Sequence, residues 1–102
     1  MLVFKMGSRM DVRHALASAL KTIRNARNLT QEDFSNVSSR TYLSTLERGL
    51  KSPTIDKVQA LAEVLNVHPL TLMALTFTTA EGCSVDELLA KVKRELRDLL
   101  VL

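Results

Sequence analysis

A chain of 102 residues, 46% apolar and 25% charged, is one small domain with a single modest core. One Tyr, three Phe and no Trp make that core aliphatic and favour packed helices, and a lone cysteine, Cys83, excludes an intrachain disulfide and a multi-cysteine metal site. The net charge of +3 is uneven: residues 1–30 carry +5, 31–52 balance, 53–82 sum to −2 and 83–102 balance. A local basic excess suits a phosphate-bearing partner, although a solvated basic face is the commoner meaning of charge alone. Single-cysteine usage makes a reducing cytoplasm the simplest location.

The first ten residues, MLVFKMGSRM, hold too short an apolar run for a secretory signal or a membrane span, and residues 1–10 are expected to form an arm. From Asp11 to Asn28, Val12, Ala15, Leu16, Ala19, Leu20 and Ile23 recur at spacings of three and four, the stripe of an amphipathic helix. Thr30, with Asp33 in place of the usual Glu, caps a short second helix that Ser35 and Asn36 soon interrupt. Ser38 or Ser39 caps a third, and Gly49 stops it. Thr54 opens a fourth helix, with Ile55, Val58, Leu61, Ala62 and Leu65 as its buried stripe.

His68-Pro69 starts a fifth helix, whose Leu70, Leu72, Met73, Leu75 and Phe77 are apolar nearly all round, which implies burial on two sides. Residues 78–83 read as a connector. Ser84-Val85-Asp86-Glu87 is a capping box for a sixth helix in which Val85, Leu89, Val92, Leu96 and Leu99 form a seam two heptads long, widened by Leu88 and Leu100. The fold class is all-α, with five helices over 11–77 and a connector and C-terminal amphipathic helix over 78–102.

The third helix, SSRTYLSTLERG over 38–49, has three Ser and two Thr among twelve residues. On a helical wheel Arg40, Thr41, Ser44, Thr45 and Arg48 share one polar arc of about 140°, while Leu43 and Leu46 anchor the other side. A merely solvated arc is normally filled with strong helix formers, and each Ser or Thr here costs several tenths of a kcal/mol relative to Ala. Short hydroxyls permit close approach to a surface and donate to phosphate or base edges, and Arg pairs both guanine acceptors. A short capped helix, a tight turn and this polar-faced helix make a helix-turn-helix, with Gln31 placed at the N-terminus of the first helix to meet phosphate.

Arg24, Leu29-Thr30-Gln31, Tyr42-Leu43-Ser44, Leu46-Glu47-Arg48-Gly49, Ser52-Pro53-Thr54 and residues 62–67 (AEVLNV), in this order and nearly at the usual spacing, resemble the Xre family of helix-turn-helix regulators, the group of the phage Cro and repressor proteins. Arg40-Thr41-Tyr42 is also similar to the recognition helix of restriction–modification controller proteins. The resemblance covers about residues 12–75. It implies a five-helix repressor-like domain that binds double-stranded DNA as a dimer or higher oligomer. Gln31, Ser39, Arg40, Thr41, Tyr42, Ser44, Thr45, Arg48, Lys51 and Ser52 are then the DNA-contacting set, and Arg24 and Glu47 an internal ion pair. Between Gln31 and Glu47 the chain has two residues fewer than the family usually shows, so the second helix or its turn must be shortened.

Leu72, Leu75, Val85, Leu89, Val92, Leu96 and Leu99 are the expected oligomerisation residues, the alternative being that the C-terminal seam packs on its own chain. A different class of protein fits as well: an antitoxin or other interaction protein whose last helix binds a protein partner and whose DNA binding serves its own promoter. An enzyme fits least. His14, His68 and Cys83 have no motif partners near in sequence, and Gly7, Gly49 and Gly82 form no phosphate loop. No cofactor, metal or membrane partner is expected.

Overall fold

The computed structural model describes residues 10–100, and the expected N-terminal arm therefore lies outside the described residues apart from Met10. Among them the fold is all-helical: α1 (Val12–Ala26), a 3₁₀ turn (Gln31–Phe34), α2 (Arg40–Glu47), α3 (Ile55–Leu65), α4 (Pro69–Glu81) and α5 (Val85–Leu100). No single described helix is long and apolar enough to cross a membrane.

α1 begins where the Asp11 carboxylate accepts from the Arg13 N–H at 2.8 Å. That bond, with a second from His14, holds the Asp11 carboxyl below its usual range. α1 packs against both α2 and α4, which widens its buried face from Ala15, Leu16, Ala19, Leu20 and Ile23 to include Ala17. Val12, expected in the stripe, is exposed at the first helical position, beyond the edge of the core.

The second helix is shortened to a single 3₁₀ turn, held at its start by the Asp33 carboxylate accepting from the Thr30 N–H at 2.7 Å. It delivers one anchor, fully buried Phe34, to a core with Leu16, Leu20, Leu43, Leu46, Leu61, Leu65 and Leu72. Ser39 is the cap of α2, accepting from the Tyr42 N–H at 3.0 Å, whereas the Ser38 hydroxyl donates to the Ser39 carbonyl. α2 ends in a Schellman motif: Leu50 N–H donates to the Thr45 carbonyl and Gly49 N–H to that of Leu46. Gly49 sits at φ +75°, and a Cβ there would lie 2.6 Å from His14 Cδ2.

α3 is capped by Thr54, which accepts from the Lys57 N–H at 3.1 Å, and ends at Asn66 in the left-handed conformation. Ile55 departs from the expected stripe. It is 85% exposed, because the first turn of α3 extends past the core. The last α3 carbonyls are met by Arg27, whose Nε donates to Leu65 O and Nη2 to Asn66 O.

α4 lies between α1 and α3 on one side and α5 on the other. It runs four residues further than the expected connector boundary, to Glu81, and the connector shrinks to Gly82-Cys83-Ser84. Thr76 and Thr78 are buried within it because their hydroxyls donate back to the Leu72 and Leu75 carbonyls. α5 opens with a complete capping box between Ser84 and Glu87 and buries no residue.

Gly49→Ala should lower stability by about 1–2 kcal/mol through the left-handed backbone alone. Adding His14→Ala should return only the steric part. An unchanged denaturation midpoint for Gly49→Ala would contradict the helix stop described above.

Candidate nucleic-acid interface

α2 is eight residues long and rich in Ser and Thr, so its own propensity cannot hold it. Leu43 and Leu46, both fully buried, fasten its inner side. Its orientation is set by Glu47, 5% exposed, at the last turn. Arg24 Nε donates to Glu47 Oε2 at 2.6 Å and Arg24 Nη2 to Oε1 at 3.0 Å, while Nη1 donates to the Leu29 carbonyl at 2.9 Å. Gln31 Nε2 adds a bond to Glu47 Oε1 at 3.1 Å. One carboxylate thus ties together α1, the 3₁₀ turn and α2.

The outward arc of α2 is the remaining surface. Arg40, Thr41, Ser44 and Arg48 line one shallow recess of about 290 Å³ together with Gln31. Arg48 also borders a second recess, about 650 Å³, that continues over α1 past Ser18 and Lys21. Ser39, Lys51 and Ser52 are exposed at the two ends of the helix. Thr45 is half-buried, and its hydroxyl donates back to the Thr41 carbonyl at 2.8 Å, leaving only its lone pairs for a ligand.

Tyr42 lies between two ammonium groups, Lys51 Nζ at 5.7 Å and Lys57 Nζ at 5.3 Å from the ring centre. Lys57 Nζ also donates to the Val37 carbonyl. Sequence reasoning missed that Lys57 stands beside the α2 face. Its signal was a lysine in the first turn of α3, where the helix dipole disfavours positive charge.

The basic residues of 1–30 have several fates: Arg24 is in the Glu47 brace, Arg27 caps α3, Arg13 and Lys21 are exposed on α1, and Lys5 and Arg9 lie outside the described residues. Positive charge on and beside the α2 face comes from Arg40, Arg48, Lys51 and Lys57, with Lys21 of α1 along the recess that Arg48 borders. At Gln31 a single 3₁₀ turn aligns few peptides, so the dipole there is weak. Gln31 joins the brace, and the second N–H of its amide remains for a ligand.

Of the expected oligomerisation residues, Leu72 is fully buried in its own chain's core and offers nothing to a second chain. Leu75 is half-buried, and Val85, Leu89, Val92, Leu96 and Leu99 are exposed along α5.

Residues 20–72 match the Helix-turn-helix family. The uncharacterized HTH-type transcriptional regulator y4dJ of Sinorhizobium fredii is 37% identical over 75 residues, 72% of this chain and 97% of that protein. Control protein C.SmaI of Serratia marcescens is 36% identical over 59 residues, 56% of this chain and 70% of that one. Among solved structures, the clp gene regulator ClgR of Corynebacterium glutamicum superposes with a TM-score of 0.66 at 21% identity, covering 87% of this chain and 94% of that chain.

Glu47→Ala should cost about 3 kcal/mol, because it leaves the Arg24 guanidinium without its carboxylate in a largely buried place. Urea unfolding measures this directly, and a loss below about 0.5 kcal/mol would mean that the brace is not what holds α2.

Proposed function

The chain belongs to the Xre-like helix-turn-helix family of DNA-binding transcriptional regulators, and we propose that it reads operator half-sites by inserting α2 into the major groove. The observation that carries this reading is the outward arc of α2, an unbroken polar surface of Arg40, Thr41, Ser44 and Arg48 on a helix whose other side is clamped into the core. A helix docked in the groove presents its N-terminal residues to base edges. Arg40, the first residue of α2, is placed for the two guanine acceptors, and Thr41 and Ser44 are short enough for close approach.

Phosphate contacts surround this centre. Lys51 and Ser52 follow α2 in the chain, Ser39 and Tyr42 stand at its start with the Lys57 ammonium beside them, and Gln31 lies across the recess. These groups fix register without carrying sequence information. The location is the cytoplasm, where the DNA is. A single α2 spans only a few base pairs, so specificity requires two copies on half-sites about one DNA turn, roughly 34 Å, apart. The exposed stripe of α5, with Leu75 at its border, is the surface that joins them.

Arg40→Ala should cost about 1–3 kcal/mol on the operator and relax preference at one base position. Lys57→Ala should instead weaken operator and random DNA alike and reduce the salt slope by about one. Equal loss on both DNAs for Arg40→Ala would overturn its role in base reading. Replacing Leu89 and Leu96 together by Asp should dissociate the dimer, and an unchanged sedimentation mass would contradict assembly through α5.

A further inference from the structure

α1 to α4 supply the buried core among the described residues, and α5 adds no buried residue. Val85, Leu89, Val92, Leu96 and Leu99 face outward along it. Beside Val85 and Leu89, α4 presents Leu70, 69% exposed, and Ala74, and together they line an open apolar groove of about 550 Å³. The groove continues between Met73 and Phe77 of α4 and Leu88 and Val92 of α5.

We propose that this groove is filled by α5 of a second copy, laid antiparallel to the first across a two-fold axis near residues 90 and 91. The inference rests on the dimeric reading above and adds the direction and register of pairing. Charge placement decides the direction. Asp86 and Lys93, seven residues apart, lie on one flank of the apolar stripe, and Leu88 and Glu95 on the other.

In an antiparallel pair like flanks meet, so Asp86 faces Lys93 of the second copy, and symmetry makes the contact twice. Leu89 then stacks on Val92 of the second copy, and Val85 on Leu96. In a parallel pair unlike flanks meet, which sets Lys93 against Leu88 and Glu95 against Leu100, with no opposite charges joined. Glu95 is already engaged by Lys91 of its own helix at 2.9 Å. The helix ends agree with the antiparallel direction: the first turn of α5 is acidic at Asp86, the last turn is basic at Arg97, and opposed dipoles attract.

Sedimentation equilibrium of the whole chain tests the pairing with Asp86→Lys, Lys93→Asp and the two combined. Both residues are exposed, and helical content by circular dichroism verifies folding. Each single change should weaken dimerisation roughly tenfold, since it converts two symmetric attractions into repulsions, and the double change should recover affinity to within about threefold. A wild-type dimer that neither single change weakens, or a double variant no tighter than the singles, would overturn the antiparallel pairing and leave the dimer standing. A wild-type chain that stays monomeric, alone and on operator DNA, would remove the dimeric reading itself.

Discussion

The Glu47 carboxylate is the constraint on which the orientation of α2 depends. α2 is short and built largely from residues that disfavour helix, so outside the protein it would not persist. Ser39 and Gly49 define its ends, and Leu43 and Leu46 supply burial, but two adjacent leucines leave rotation about the helix axis loosely defined. Arg24 and Gln31 remove that freedom by holding one carboxylate from two directions. A helix fixed in this way gives up little conformational entropy when it meets a ligand. The hydroxyl-rich arc is tolerated because stability is supplied from the opposite side of the same helix.

The brace also accounts for part of the charge along the chain. Six basic residues among the first thirty suggest a cationic face. Two of them, Arg24 and Arg27, are spent inside the fold, one on Glu47 and the other on the carbonyls that close α3. Arg40, Arg48 and Lys51, on and beside α2, come from a stretch whose net charge is balanced, and Lys57 from one that is negative. Local sums of charge do not report where guanidinium groups end up when the partners are more than twenty residues away.

Long amphipathic elements were legible: the α1 stripe, the Thr54 cap of α3 and the Ser84–Glu87 capping box follow from spacing and short-range hydrogen bonding. The outer arc of α2 was legible for the same reason, since a wheel needs only local order. Periodicity says which way a side chain faces, not whether anything lies over it, and so Val12 and Ile55 are exposed at first turns while Leu72 is buried within its own chain. The 3₁₀ turn is too short to carry a period. The extension of α4 through Thr78 was hidden because threonines resemble a loop until their hydroxyls bond back to the helix. Lys57 was missed because its neighbours, Tyr42 and Val37, come from another element. The Arg24–Glu47 pair came from family resemblance, since no local pattern relates residues 23 apart.

The two halves of the chain divide the work. In the proposed reading the braced α2 recognises a few base pairs, and α5, packed on α4 and otherwise uncovered, joins the second copy that recognition of a longer site requires. The central claim is that α2 reads sequence in paired half-sites, and recovery of bound fragments from whole genomic DNA tests it most directly. The account predicts a shared motif of two inverted half-sites with centres about one helical turn, roughly 34 Å, apart. Fragments without a common sequence, bound only as strongly as salt and length dictate, would contradict it.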